Sequence, residues 1–353
     1  MNPFSYARAT SVAEAIRLHR TTPGAHFLAG GTNIVDLMRE NVVRPAAIVD
    51  INRLPLRDIE DTPEGGLRAG ALVTHSKLAW DARVIERYPL LSQAILAGAS
   101  AQIRNAGTVG GNVLQRTRCL YFYDPSTCCN KRAPGSGCAA LDGVNRMHAI
   151  LGASEHCIAT HPSDMCVALE ALDATIHIAG HDGTRTVPLA EFLLLPGDTP
   201  HRETTLAEDE LITAIELPRE GYARHYAYVK LRDRQSYAFA LVSVALGMQI
   251  EDGVVRSFAC ALGGVAHRPW RDRAAETLVN GCEASDTLAI ERFADSLVSG
   301  AEARRGNAFK VEMTRRAIVR AFEQARASEA TPAAAGEDAS PPPDDTPPEE
   351  DRA

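Results

Sequence analysis

The chain has 353 residues, 45% of them hydrophobic and 23% charged, which is enough for two or three domains with their own cores. Its net charge of −8 argues against a nucleic-acid-binding protein. No apolar run reaches the roughly 18 residues of a membrane span, and the N-terminus lacks the apolar segment of a secretion signal.

The first 55 residues predict a small α/β unit. Ser11 and Glu14 form a capping box that predicts the start of a helix. The predicted elements in chain order are a helix at 11–20, a strand at 26–29, a helix at 34–38 and a strand at 46–51. Strands and helices that alternate in this way indicate one α/β layer, which closes near residue 55.

The rest of the chain predicts two further units and a tail. The second unit, 56–220, has predicted strands at 66–73, 174–179 and 210–217 and predicted helices at 90–99 and 165–172. The third unit, 221–328, has three predicted antiparallel strands at 222–231, 238–250 and 254–263, followed by helices at 288–299 and 308–327. The segment 329–353 has eight acidic residues and six prolines, a composition that predicts disorder.

Two glycine pairs are flanked by small polar residues. They lie in Ala29-Gly-Gly-Thr-Asn33 and in Thr108-Val-Gly-Gly-Asn112, where we predict loops. Adjacent glycines permit positive φ angles, so that backbone N–H groups can converge on an anion. Two such loops in neighbouring units predict a site that binds both phosphates of a dinucleotide from opposite sides. The common Rossmann and P-loop fingerprints are absent from the sequence.

Six of the eight cysteines lie between Cys119 and Cys166. In a large chain without a secretion signal, such clustering favours metal or redox chemistry over a disulfide framework. The spacing is Cys119-x9-Cys129-x8-Cys138-x18-Cys157, with Cys128 beside Cys129. This pattern matches neither ferredoxin nor paired zinc-ribbon spacings. The residues alone therefore admit either a [4Fe-4S] cluster or a zinc ion held by four thiolates.

Five blocks of sequence resemble the FAD-binding (medium) subunit of the xanthine dehydrogenase, or molybdenum hydroxylase, family. The blocks are 28–37, 108–112, 161–164, 210–218 and 261–266, and they keep the family's order across residues 1 to 327. The resemblance implies an α+β fold. A two-subdomain FAD-binding fold of the vanillyl-alcohol-oxidase type, subdivided at 1–55 and 56–220, would precede an α+β C-terminal domain of the CO dehydrogenase flavoprotein type at 221–328.

The resemblance also implies where FAD binds. The implied contact residues are Leu28, Ala29, Gly30, Gly31, Thr32, Asn33, Ile34, Thr108, Gly110, Gly111, Asn112, Asp164, Ile212 and Lys230. Asp164 matches an acid that hydrogen-bonds FAD, Ile212 a backbone contact to the adenine end, and Lys230 a cation at the polar edge of the flavin. Several relatives stack an aromatic side chain on the flavin from the segment at 96–103. That segment has no aromatic residue here, which predicts a more open flavin face.

The cysteine-rich insertion at 115–160 resembles one found in a single branch of the family, the FAD subunits of periplasmic aldehyde oxidoreductases of enteric bacteria. In that branch four cysteines hold a [4Fe-4S] cluster. They match Cys119, Cys129, Cys138 and Cys157, and Cys128 is then a bystander.

The function implied is electron transfer within a heterotrimeric aldehyde oxidoreductase. A molybdopterin-binding large subunit would oxidise the aldehyde, and a small subunit with two [2Fe-2S] clusters would pass electrons to FAD on this chain, which would have no catalytic residue for the substrate. The alternatives are a stand-alone flavin oxidase, a subunit of a related xanthine or hydroxybenzoyl-CoA enzyme, and a zinc-stapled assembly protein. The location is expected to be the periplasm, reached through a partner's twin-Arg signal, or the cytoplasm.

Overall fold

The computed structural model describes residues 2–328, and the acidic segment predicted to be disordered lies outside them. The N-terminal unit is a three-stranded parallel sheet with two helices. Its elements are β1 (Ser5–Arg8), α1 (Val12–Thr21), β2 (Ala25–Leu28), α2 (Ile34–Arg39) and β3 (Ala47–Asp50). Strand β3 is central and pairs in parallel with β1 and β2. No apolar pattern predicts β1, because its residues are mostly exposed.

Helix α1 starts where its capping box predicts. The hydroxyl of Ser11 accepts the N–H of Glu14 at 3.2 Å. The carboxylate of Glu14 turns back onto the N–H of Thr10 at 2.8 Å, one residue earlier than the motif predicts. The first contact satisfies a backbone donor that the first helical turn leaves free, and the second satisfies the donor of the residue before the N-cap.

The second unit is built on a five-stranded antiparallel sheet. Its strands are β4 (Ile59–Asp61), β5 (Leu67–Gly70), β6 (Thr175–Gly180), β7 (Gly183–Pro188) and β8 (Leu211–Leu217). Its helices are α3 (His75–Trp80), α4 (Ala82–Arg87), α5 (Pro89–Ala97), α6 (Ala101–Ala106), α7 (Val109–Val113), α8 (Leu120–Tyr123), α9 (Asp164–Ala171) and α10 (Leu189–Phe192). The strand order is β4-β5-β8-β6-β7. Strand β8, which contains Ile212, lies beside β5. Ile212 is therefore close to the segment that connects β5 to α3.

The third unit is an antiparallel sheet covered by helices. Its elements are β9 (His225–Leu231), β10 (Val242–Glu251), β11 (Val254–Gly263), α11 (Arg273–Glu276), α12 (Thr287–Val298) and α13 (Phe309–Ala327). Strand β10 is central, and α12 and α13 pack their apolar faces into the core that this sheet forms. Helix α9 of the second unit is buried from its second residue to its last and packs against β10 and β11.

Each of the three sheets takes its strands from only one of the three predicted domains. The exact bounds of these domains, 1–55, 56–220 and 221–328, stay predictions. None of the helices within residues 2–328 combines the length and the apolar character that crossing a membrane requires.

Candidate functional site

Two cavities lie beside the two glycine segments. The first has a volume of about 720 Å³ and the second a volume of about 830 Å³. Thr32, Asn33 and Gly111 line both cavities, so the two adjoin at these residues. We call the two cavities together the groove. A ligand with two ring systems linked by a pyrophosphate would fit this shape, with one ring system in each chamber and the pyrophosphate beside the glycine segments.

The first glycine segment connects β2 to α2 and touches the opposite side of the groove. A Cβ atom at position 30 would lie 1.7 Å from the carbonyl oxygen of Ala106, so only glycine fits there. Gly31 has a φ of +73°, a conformation that favours glycine. The segment is therefore pressed against the turn that leads into α7.

The second glycine segment is a helix, which corrects the predicted loop. Thr108 is the N-cap of α7, and its hydroxyl accepts the N–H of Gly111 at 3.3 Å. A Cβ atom at Gly110 would lie 3.0 Å from the Cβ atom of Ala71, so α7 packs closely on the chain after β5. Ala71 in turn donates its N–H to the carbonyl of Thr213 in β8. The sheet thus fixes this side of the groove.

Asn33 offers a free donor where the cavities adjoin. Its side-chain oxygen accepts the N–H of Arg116 at 2.9 Å. Its Nδ2 atom is buried and has no hydrogen-bond partner among residues 2–328. A buried amide donor without a partner is costly, and an acidic oxygen of a ligand would satisfy it. This observation fits a phosphate-bearing cofactor between the two glycine segments.

All but one of the implied cofactor contacts line the groove. Besides the three shared residues, the first cavity is lined by Ala29, Gly30, Gly31, Ile34, Thr108, Gly110 and Ile212, and the second by Asn112, Asp164 and Lys230. Leu28 lines neither cavity, and its implied contact with FAD stays a prediction. It is the last residue of β2, and its carbonyl accepts the N–H of Ile51.

Asp164 and Lys230 form a buried ion pair in the second cavity. The ammonium lies 2.8 Å from a carboxylate oxygen of Asp164, and the two side chains are only 5% and 10% exposed. Lys230 also donates to the carbonyl of Ala97 at 3.0 Å. The hydroxyl of Tyr228 donates to the other carboxylate oxygen at 2.6 Å. Burial and this carboxylate hold the pKa of the Tyr228 phenol well above its usual value.

Aromatic side chains line the second cavity, although the segment 96–103 contributes none of them. They are Tyr123 of α8, and Tyr237 and Phe239 from the connection between β9 and β10. The guanidinium of Arg118 lies 5.4 Å from the ring centre of Phe239 and 5.9 Å from that of Tyr123. These residues were missed because Tyr123 lies in a helix of only four residues and the other two lie in irregular chain, where no periodicity marks a position.

Residues 115–160, which we call the cysteine segment, bring four distant cysteines to one small cavity. Cys119, Cys129, Cys138 and Cys157 all line it, although up to 38 positions separate them in the sequence. The cavity has a volume of about 10 Å³, room for about one water molecule. Cys128 also borders the cavity, but it is exposed, whereas its neighbour Cys129 is buried.

Polar contacts rather than a sheet or a long helix hold the cysteine segment in place. Cys129 and Cys138 face each other in an isolated antiparallel bridge. Asn130 supports this bridge, because its side chain accepts the N–H of Gly137 at 2.8 Å and donates to the carbonyl of His156 at 3.0 Å. One amide thus joins three stretches of the segment.

A buried cation stands beside the cysteines. The side chain of Lys131 is only 2% exposed, and its ammonium lies 2.7 Å from the carboxylate of Glu203. Arg116 pairs with the same carboxylate. Two cations share one anion here, so the pair of bridges leaves net positive charge near the thiols. This charge would offset part of the negative charge of four thiolates.

The cysteine thiols perturb one another. The neighbouring Cys157 lowers the pKa of Cys138 to about 6, and Cys138 together with burial raises the pKa of Cys157. Burial raises the pKa of Cys119 to about 11.

Within residues 2–328, no group of three or more histidine, cysteine or carboxylate side chains is arranged to hold a single metal ion. A cubane cluster has a different requirement, because each thiolate binds a different iron. The four cysteines fit such a cluster in their chemistry, and the space between their sulfur atoms has to widen to admit it.

Two family models match the chain. Residues 2–220 match the FAD binding domain in molybdopterin dehydrogenase, and residues 226–325 match the CO dehydrogenase flavoprotein C-terminal domain. The chain belongs to this family of FAD-binding subunits. The predicted fold class is confirmed, as is the prediction that the chain is an oxidoreductase subunit.

Known proteins resemble the chain over nearly its whole length. The aldehyde oxidoreductase FAD-binding subunit PaoB of Escherichia coli is 49% identical over 93% of this chain and 99% of its own. The glyceraldehyde dehydrogenase medium chain of Sulfolobus acidocaldarius is 27% identical over 91% and 98%. Among solved structures, carbon monoxide dehydrogenase from Hydrogenophaga pseudoflava superposes with a TM-score of 0.72 at 27% identity, over 94% of this chain and 100% of that one.

Proposed function

We propose that the chain is the electron-transfer FAD subunit of a heterotrimeric, molybdenum-containing aldehyde oxidoreductase. The observation that carries the proposal is the groove, whose two chambers adjoin at Thr32, Asn33 and Gly111. The choice of aldehyde rests on similarity: identity is 49% to an aldehyde oxidoreductase subunit but 28% to a xanthine dehydrogenase FAD-binding subunit of Escherichia coli.

In this proposal FAD lies along the groove and, when bound, supplies the one- and two-electron chemistry of a flavin. The first chamber takes the adenine end, where Ile212 lies on β8. The glycine segments would hold the pyrophosphate, and Asn33, whose Nδ2 is buried without a partner among residues 2–328, would donate a hydrogen to it. The second chamber takes the flavin. There, Lys230 and Asp164 present a charge-balanced pair, so the flavin's polar edge meets a hydrogen-bonding surface rather than an isolated cation.

The cysteine segment binds a [4Fe-4S] cluster in this proposal. Its ligands are Cys119, Cys129, Cys138 and Cys157, and Lys131 offsets part of their charge. Three observations support the assignment: the four side chains share one cavity, the neighbouring Cys157 lowers the pKa of Cys138 and so favours a thiolate there, and Cys128 is exposed. A thiolate, not a thiol, is the form that binds iron.

Two partners complete the proposed enzyme. A large subunit would carry molybdopterin and the substrate site, and a small subunit would carry two [2Fe-2S] clusters that pass electrons to FAD. Without these partners, this chain would not transfer electrons from an aldehyde to an acceptor. A stand-alone flavin oxidase would do so without any partner.

The experiment is to purify a tagged full-length chain, with whatever subunits stay bound to it, from its native cells. Molybdenum, iron and FAD are then measured on the same complex. The proposal predicts about one molybdenum and about eight irons per FAD, because two [2Fe-2S] clusters contribute about four irons and this chain contributes about four. About four irons per FAD would remove the cluster from this chain. A complex without molybdenum would refute the proposed enzyme.

A further inference from the structure

Two histidines touch the sulfur atoms of the cysteine cavity. The Nε2 atom of His148 lies 3.1 Å from the Sγ atom of Cys119, and the Nε2 atom of His267 lies 3.3 Å from the Sγ atom of Cys157. His148 belongs to the cysteine segment, but His267 follows β11 in the third unit, 110 residues beyond Cys157. Both side chains are buried. Two of the four thiols therefore have an imidazole nitrogen within hydrogen-bond distance.

The third unit also fixes the position of His148. The buried ammonium of Lys310, on α13, donates to the carbonyl of His148 at 2.9 Å and also to that of Gly264. Asn307, just before α13, donates its amide to the carbonyls of His148 and Ala149 at 3.3 and 3.0 Å. The backbone at His148 is thus held by two side chains at the start of one helix. His148 and His267 are both positioned by the third unit, although one belongs to the cysteine segment.

The direction of these two hydrogen bonds follows from the two atoms that meet. A neutral imidazole has one N–H group and one lone pair. The sulfur atom of a thiolate ligand carries no hydrogen and can only accept, so a lone pair on Nε2 would face it without a bond. The Nδ1 atoms of His148 and His267 are both buried and without a partner among residues 2–328. The hydrogen is therefore placed on Nε2, where it points at sulfur.

We propose that His148 and His267 donate N–H···S hydrogen bonds to the thiolates of Cys119 and Cys157 and so raise the reduction potential of the cluster that these thiolates hold. This inference rests on the proposed function, because it requires the [4Fe-4S] cluster. Hydrogen bonds to the sulfur atoms withdraw electron density from an iron–sulfur cluster and are one of the factors that set its potential. The donors stabilise the reduced, more negative state more than the oxidised one.

The test is a dye-mediated redox titration of the full-length chain, purified anaerobically, in which the reduced cluster is followed by electron paramagnetic resonance. His267→Phe and His148→Phe remove the donor but keep a planar apolar ring. We expect each variant to keep about four irons per chain and to have a lower midpoint potential. At a fixed potential near the midpoint, the ratio of oxidised to reduced cluster should rise about tenfold, which is about 59 mV for one electron.

Two further variants keep the test decisive. His267→Gln retains an N–H donor on its side chain, so its midpoint should lie closer to that of the unsubstituted chain. His156→Phe is the matched control, because His156 lies in the same segment, is half exposed and has Asp198 as a neighbour at 3.6 Å rather than a cysteine. It should leave the midpoint unchanged.

The outcomes separate this inference from the proposal beneath it. Absence of iron from the unsubstituted chain overturns the cluster and, with it, the role of the histidines. Four irons and an unchanged midpoint in both Phe variants overturn only the histidine assignment. A Gln variant that shifts as far as His267→Phe also overturns it, because the donor would then be irrelevant.

Discussion

The groove and the cysteine segment hold their side chains in different ways. The groove is lined by residues at or just beyond the ends of regular elements, with Gly30 two residues after a strand and Thr108 at the N-cap of a helix. The cysteine segment has one helix of four residues, and its backbone is held by side chains such as Asn130. Secondary structure positions the groove whether or not a ligand is bound. The cysteine segment depends on a few polar contacts, to which the proposed cluster would add a link between its four cysteines.

The largest expected effects are the losses of one cofactor at a time. Gly111→Val places a branched side chain between the two chambers, where a Cβ atom meets only the hydroxyl of Thr108 at 2.9 Å, so the chain should still fold. The Kd for FAD should rise at least about tenfold, or about 1.4 kcal/mol. It is measured by fluorescence titration of FAD into the FAD-free chain.

The matched control for this variant is Gly300→Val. A Cβ atom there meets no other atom within 4 Å, and the position lies far from the groove in the sequence. FAD affinity should not change in the control. Iron content should stay at the unsubstituted level in both variants. FAD bound normally by Gly111→Val would show that the glycine segments do not enclose the pyrophosphate.

The converse loss separates two adjacent cysteines. Cys129→Ser should remove the iron and make the cysteine segment more accessible to protease, because the buried thiol is lost as a ligand. Cys128→Ser should retain the iron, because the Cys128 thiol is exposed. Iron is measured by a colorimetric assay and proteolysis by mass spectrometry. Equal iron loss in the two variants would contradict the ligand assignment.

An effect on stability rather than on cofactor content is expected from the ion pair in the second cavity. Lys230→Met leaves the buried carboxylate of Asp164 without its cation, which should cost about 3 kcal/mol of stability. The shift is measured as the midpoint of urea unfolding by circular dichroism, with FAD removed. Arg316→Met, which breaks an exposed pair with Glu312, is the control and should leave the midpoint unchanged. An unchanged midpoint in Lys230→Met would mean that the pair is solvated.

The smallest effect compares two serines. The hydroxyl of Ser163 accepts the N–H of Cys166 at 2.9 Å and caps α9 beside the second cavity, so Ser163→Ala should cost about 1 kcal/mol. Ser126 in the cysteine segment is bonded only to the nearby Asp124, and Ser126→Ala should cost less. The midpoint temperature of thermal unfolding is measured for both variants. It should fall further in Ser163→Ala, because a helix cap contributes more to stability than a local turn. Equal shifts would contradict that distinction.

Elements with a clear apolar pattern could be predicted from the sequence, and mostly exposed strands could not. Strand β11 has the predicted bounds, and α13 begins one residue later than predicted, because both bury a continuous apolar pattern. Strands β4 and β7 were missed because their residues are mostly exposed. The second glycine pair was predicted as a loop, since glycine disfavours helices, but packing against Ala71 holds α7 in place.

The site could be predicted only where its residues are close together in the sequence. The two glycine segments were found from their local composition. The pairing of Asp164 with Lys230 was not, because it depends on how α9 packs against the third unit. The contact of His267 with Cys157 was likewise invisible, because 110 residues separate them. The convergence of the four cysteines was implied by resemblance, since their spacing alone admits iron or zinc.

The most direct test of the account is the visible absorption spectrum of the isolated chain, purified anaerobically, with iron, zinc and flavin measured on the same sample. We expect about four irons and about one FAD per chain, without stoichiometric zinc. FAD without iron would leave the groove as described and contradict the cluster in the cysteine segment. A chain with zinc and no flavin would contradict the account as a whole.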